Sequence, residues 1–151
     1  MRLYKINNLI AQNTNYRRLR DNNSGIIKKY GGNWTEISGH KYLTEKFIKK
    51  YENKVDWFWI AACQKLSEDF IEKHKNKLNW DLISEFQKLS ENFIDKYKDD
   101  IHWGLACKRQ RLSESFIEKY KDKVDWLYIC HYQKHLSPEF ITKTSYFKYN
   151  E

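Results

Sequence analysis

The densest group of side chains able to hold a metal is Cys130, His131 and His135. Only His131 and His135, four residues apart, share a helical face, and nothing nearby supplies a third and fourth ligand, so the spacing does not build a tetrahedral site. The three cysteines, Cys63, Cys107 and Cys130, are odd in number and form no C-x-x-C, which argues against a disulfide scaffold and for a reducing compartment. There is no nucleophile elbow, phosphate-binding loop, H-E-x-x-H or glycine-rich dinucleotide motif. The glutamates Glu45, Glu68, Glu91 and Glu114 recur at a fixed interval instead of converging in pairs. The expectation is a protein with no catalytic residues, no metal and no cofactor.

Binding chemistry is better represented. Gln64, Gln87, Gln110 and Gln133 each stand seven residues after a tryptophan. A polar amide repeated in this way either reads one base or peptide group per copy or satisfies backbone groups at the turn into the next copy. An unvarying row reads varied bases poorly, so the second role is expected. Positions that vary between copies are freer to bind. Two, five and six residues after successive tryptophans lie Trp59, Ala62 and Cys63, then Leu82, Glu85 and Phe86, then Leu105, Lys108 and Arg109, then Tyr128, His131 and Tyr132. Helical spacing puts each set on one side of its helix, and a mixed aromatic and cationic strip suits protein recognition. Trp59, Phe86, Lys108, Arg109, Arg111, Tyr128 and Tyr132 are therefore the candidate partner-binding residues. The alternative use of these positions is as a second side of the core.

The elements that must carry these residues come from an internal repeat. Leu43, Leu66, Leu89, Leu112 and Leu136 open successive copies, giving a period of 23 residues three times and 24 once, with the extra residue near His135. Such a period marks a stacked-repeat architecture. Each copy holds two helix starts. Thr44, Ser67, Ser90, Ser113 and Ser137 are N-caps of first helices, followed by glutamate or, in the last copy, by Pro138. Asp56, Asn79 and Asp125 cap second helices ahead of Trp57, Trp80 and Trp126. Leu66 with Ile71, and Leu78 with Ile83, have the spacing of hydrophobic staples, and the other copies repeat them. His102 and Ala106 break the pattern, which predicts that the copy beginning at Leu89 has the weakest second helix. Two helices in 23 residues leave about nine or ten residues for each, too short to stand alone. Trp34, Trp57, Trp80, Trp103 and Trp126 are expected to form an internal core ladder.

The fold class is therefore all-α, a short solenoid of two-helix repeats in a single domain. Residues 1–25 form a basic N-terminal cap that includes a short amphipathic helix (Leu3, Ile6, Leu9, Ile10) and a turn over 21–25. Residues 26–42 are a worn repeat with two residues deleted at Gly31-Gly32. Full repeats occupy 43–65, 66–88, 89–111 and 112–135, and 136–151 is a half repeat over which Tyr146, Phe147 and Tyr149 fold. No apolar run is long enough for a membrane span or signal segment, so a cytoplasmic location is expected.

Charge is uneven. Of the net +8, residues 1–33 carry +6, with seven bases against Asp21. Five of the six arginines fall in two clusters, Arg17-Arg18-Leu19-Arg20 and Lys108-Arg109-Gln110-Arg111. Arg17, Arg18, Arg20, Lys28 and Lys29 are the candidate nucleic-acid contacts. Lysine rows at Lys50, Lys73, Lys96 and Lys119, and at Lys65, Lys88 and Lys134, are read as a solvated face partly paired with the glutamates.

The unit running from Leu66-Ser67-Glu68 through Phe70-Ile71 and Asn79-Trp80 to Gln87 resembles short tryptophan-bearing repeats in uncharacterised proteins of bacteriophages and giant viruses. The resemblance spans about residues 26–143 and implies a viral or prophage origin, with no residue role attached. It suggests a host-directed inhibitor that docks on a host protein or ribonucleoprotein, plausibly a CRISPR effector in the manner of an anti-CRISPR. Direct RNA or DNA binding through the basic end is the alternative reading. Self-assembly is a third, set against an expected monomer.

Overall fold

The computed structural model describes residues 23–40 and 43–145, and every regular element among them is an α-helix. The described residues fall into two compact units, the first ending at Lys77 and the second beginning at Leu78. In the first unit, α1 (Asn23–Lys29) and α2 (Trp34–Ser38) form the worn repeat. They are followed by α3 (Glu45–Lys50), α4 (Trp57–Cys63) and α5 (Glu68–Lys73). The second unit holds α6 (Trp80–Phe86), α7 (Glu91–Lys96), α8 (Trp103–Arg109), α9 (Glu114–Lys119), α10 (Trp126–Tyr132) and α11 (Pro138–Ser145). The protein is an all-α fold of two-helix repeats, as the 23-residue period requires. The N-terminal amphipathic segment, Arg17, Arg18 and Arg20, and the terminal Tyr146, Phe147 and Tyr149 lie outside the described residues. Of the turn expected over 21–25, residues 23–25 are instead the first residues of α1.

The helices are shorter than expected. First helices such as α3 and α7 have six residues and second helices such as α4 and α8 have seven, where nine or ten were anticipated. The first helices α3, α5, α7 and α9 stop at an aromatic C-cap whose N–H turns back into the last turn, as Tyr51 N–H does to Phe47 O at 3.1 Å. The second helices of the full repeats stop at their glutamines, where the backbone turns extended in Gln64, Gln87 and Gln110, while α2 stops at Gly39. At the N-termini the cap chemistry is as the sequence implies. Ser67, Ser90, Ser113 and Ser137 hydroxyls accept from the N–H three residues on, each at 3.2 Å. The helix expected to be weakest, α8, is as long as its counterparts, because His102 Nδ1 accepts from Leu105 N–H at 3.2 Å and serves as the cap.

The core is a row of isoleucines. Ile37, Ile48, Ile60 and Ile71 in the first unit, and Ile83, Ile94, Ile117 and Ile129 in the second, are completely buried, with Ala106 and Cys107 filling the same layer in α8. A fully buried isoleucine contributes roughly 1.5–3 kcal/mol. The tryptophans are not the centre of this core, contrary to the expected ladder; all five are half-buried at its rim. The indole N–H explains the placement, since it needs an acceptor: Trp57 Nε1 donates to Glu52 O at 3.1 Å and Trp103 Nε1 to Lys98 O at 2.9 Å. The ring then stacks on the next copy, Trp57 with Phe70 and His74, and Trp103 with Phe116 and Tyr120.

Repeats are joined by buried polar side chains. Gln64 Oε1 accepts from Leu43 N–H at 2.8 Å, while its Nε2 donates to Ser38 O and His40 O at 2.8 and 2.6 Å. Gln110 makes the same three bonds to Leu89 N–H, Ser84 O and Gln87 O, and Gln133 makes them to Leu112 N–H, Cys107 O and Gln110 O. These amides serve as joints, as their invariance suggested. The glutamates add a second joint the sequence did not disclose: Glu45 accepts from Ser67 N–H at 2.6 Å, Glu114 from Ser137 N–H at 2.7 Å, and Glu91 from both Ser113 N–H and its hydroxyl. Together with Ser137, the hydrogen bond holds the Glu114 carboxyl below its ordinary pKa.

The two irregular copies have local causes. Gly31 and Gly32 have φ of 56° and 80°, a left-handed pair that closes the α1–α2 turn two residues early. At the other end, Leu136 N–H finds Gln133 O at 3.2 Å, and the residue inserted beside it, His135, places Nε2 2.8 Å from Leu112 O.

Candidate interaction surface

The residues predicted to bind a partner, Arg111 apart, lie on second helices, and the structure brings four of them together in the second unit. There α8 packs against both α6 and α10. Arg109 Nη2, at the end of α8, is 3.2 Å from Glu85 Oε1 on α6. Lys108 Nζ lies 5.7 Å from the centroid of the Tyr132 ring on α10. Tyr132 in turn contacts Tyr128 at 5.8 Å and meets His131 edge-on at 4.6 Å. Tyr128 is seated on Gly104, where a Cβ would come within 3.3 Å of its ring, so the glycine makes room for the aromatic. Phe86 is half-buried at the end of α6, and Arg111 is exposed in the turn after α8.

Tyr132 is 42% exposed and Leu127, on the same helix, 58%. The cluster therefore offers one exposed aromatic anchor, Tyr132, beside two cations with side-chain neighbours, while Leu127, five residues before it, faces another side of α10. Arg109 has an intramolecular partner in Glu85. Both partners remain solvent-accessible, so the pair contributes little to folding.

In the first unit, Trp59 is half-buried, not displayed: its indole lies over Gly39, where an added Cβ would stand 3.5 Å from the ring. Its neighbour Phe58 meets it edge-on at 5.5 Å and is 49% exposed. Phe58 and Leu127 both follow their tryptophans directly, a position the variable set omitted. The signal was available, since that position reads Thr35, Phe58, Asp81, Gly104 and Leu127 and so obeys no packing rule. Lys28 and Lys29 are exposed at the end of α1.

Cys107 and Cys63 are poorly suited to nucleophilic chemistry. Burial pushes the Cys107 thiol up to about 11 and raises that of Cys63, and all three cysteines are free. Among the described residues no three His, Cys, Asp or Glu side chains converge on a metal position, and no helix is long and apolar enough to cross a membrane. Comparison with protein-family models, curated proteins and solved structures gives no match.

Proposed function

We propose that the protein is a non-enzymatic binding module that docks on a host protein or ribonucleoprotein through its second-helix surface and inhibits it. The observation that carries this reading is the cluster of Lys108, Arg109, Tyr128 and the exposed Tyr132. Tyrosine and arginine dominate binding energy at protein interfaces, and an interface centre needs apolar area that water can leave. The rings and cations here are held by packing, so little side-chain entropy remains to be lost on docking. The likeness of the repeat to those of phage proteins supports a host target, and a CRISPR effector is the partner class it suggests.

The test places a photo-crosslinking residue at Tyr132 and, separately, at Lys121, in lysate from the host after nuclease treatment. A discrete protein adduct formed from position 132 and absent from position 121 supports the reading. No adduct, or the same adducts from both, overturns it. With a reconstituted CRISPR effector, loss of target cleavage on adding the protein, relieved by Tyr132→Ala, identifies the partner class.

A further inference from the structure

The turns joining first to second helices differ in charge between the two units, although the helices they join do not. In the first unit these segments are residues 28–33, 49–54 and 72–77, which hold eight lysines against Glu52 and Glu72. In the second they are 95–100 and 118–123, which hold five lysines against five acids. One edge of the first unit thus carries +6 and its counterpart in the second is neutral. All eight lysines are exposed, whereas Glu52 and Glu72 are half-buried.

Helix chemistry does not explain this. A lysine in the last turn favours the helix dipole, and Lys29, Lys50, Lys73, Lys96 and Lys119 supply it in both units. The difference lies at the flanking positions. Lys49 stands where the second unit has Asp95 and Glu118, Lys54 and Lys77 where it has Asp100, and Asn53 and Asn76 where it has Asp99 and Asp122. In the second unit the charges neutralise one another directly, Lys119 with Asp95 at 2.8 Å and Lys123 with Asp99 at 2.7 Å. Rings hold lysines in both units, Lys96 on Tyr97 and Lys119 on Tyr120 in the second, and in the first Lys29 on Tyr30, Lys50 on Tyr51, Lys54 on Trp34 and Lys77 on Trp57, at 5.0 to 5.7 Å; the units differ in the acids that accompany those lysines. A ring fixes a cation in place without cancelling its charge. Successive turns adjoin, since Lys77 Nζ reaches Glu52 Oε2 at 3.4 Å, so the lysines of neighbouring copies form one surface.

We infer that this edge of residues 28–77 binds the phosphate backbone of a nucleic acid without reading its sequence. None of the exposed large apolar side chains, Phe58, Leu127 and Tyr132, lies on these turns, so an acidic protein would find charge there but no anchor. A phosphate backbone needs no anchor, because each phosphate neutralised releases counterions. Lysine, a point charge without a directional fork, suits such contacts. This site is separate from the second-helix cluster, and neither reading depends on the other.

The test uses the full chain and a fluorescein-labelled oligothymidylate of about 20 nucleotides, followed by anisotropy. If four phosphates are neutralised, affinity falls about fifty-fold between roughly 50 and 200 mM salt. Lys49→Asp with Lys54→Asp imports residues native to the second unit and is expected to weaken binding at least about tenfold and flatten the salt dependence. Lys98→Glu with Lys121→Glu, which imports Glu52 at equivalent positions, makes the same change in net charge and is expected to alter affinity less than about twofold. Lys49→Gln with Lys75→Gln repeats the comparison without adding acid, should the first pair disturb folding. Absence of binding at low salt, equal weakening by both acidic pairs, or equal competition by a polyglutamate peptide of the same charge overturns the inference.

Discussion

The side-chain nitrogen of Gln133 donates to the main-chain carbonyl of Gln110 at 2.6 Å, so one joint residue is anchored on the backbone of the joint before it. Gln110 is bound in the same manner to Gln87 O at 2.8 Å. Helices of six and seven residues cannot persist alone, and these amides tie each to its neighbours through bonds that water cannot replace.

Removing one joint should therefore cost more than its side-chain size suggests. Gln110→Met keeps the volume but leaves Leu89 N–H, Ser84 O and Gln87 O without the partner they share. The expected loss is about 2–4 kcal/mol, read as a lower urea midpoint. A change below about 0.5 kcal/mol would mean that water satisfies these groups and that the joint is decorative.

The isoleucine row and the tryptophan rim predict different sensitivities. Ile94→Ala empties a completely buried position and should destabilise by about 2–5 kcal/mol. Trp103→Phe keeps a ring against Phe116 and Tyr120, loses the bond to Lys98 O, and should cost about 1–2 kcal/mol. If denaturant unfolding ranks Trp103→Phe as the more damaging, the indoles and not the isoleucines hold the repeats together.

Which features could be read from the residues follows from what periodicity encodes. Ser67, Ser90 and Ser113 were legible because capping is local, and Gln110 because an amide that never varies in an apolar row must have a fixed partner. Depth was not legible: Trp57 and Ile60 belong to rows that both recur, and only the indole's need for an acceptor, met by Glu52 O, sends one to the rim and the other to the centre. Helix length was overestimated because the aromatic C-caps Tyr51, Tyr97 and Tyr120 look like further helical positions until their N–H groups turn back. Phe58 and Leu127 stand directly after their tryptophans, outside the strip at positions two, five and six, and their exposure follows from which side of the helix meets the neighbouring copy. Glu45 and Glu91 were read as dipole partners, and their second task, accepting from the next copy, depends on how copies stack.

Cys107 offers a probe of opening. It is completely buried with its thiol raised to about 11, so it is protonated and enclosed at pH 8. A native-state titration with a thiol-reactive disulfide is expected to spare it, with full reaction only in denaturant. Rapid labelling of Cys107 without denaturant, located by peptide mapping, would place the second unit in frequent local opening.

His74 should make the first unit sensitive to mild acid. It occupies the C-cap position held by Tyr51, Tyr97 and Tyr120 elsewhere, with ring contacts to Phe70 at 4.3 Å and Trp57 at 5.0 Å. Burial lowers its pKa; Glu52 opposes this from 4.0 Å, while Lys77, Lys49 and Lys73 reinforce it. Because the folded pKa lies below the unfolded value of about 6.5, the unfolded chain takes up the proton first. The neutral ring's contribution is therefore complete above about pH 6.5 and lost as pH falls from there through the folded pKa. His74→Tyr restores the ring used by the other copies and removes the titration. The stability difference between variant and native protein, from urea midpoints, should widen as pH falls from about 7.5 to 5. A difference that stays constant over that range would show that His74 is as free to protonate in the folded protein as in the unfolded chain.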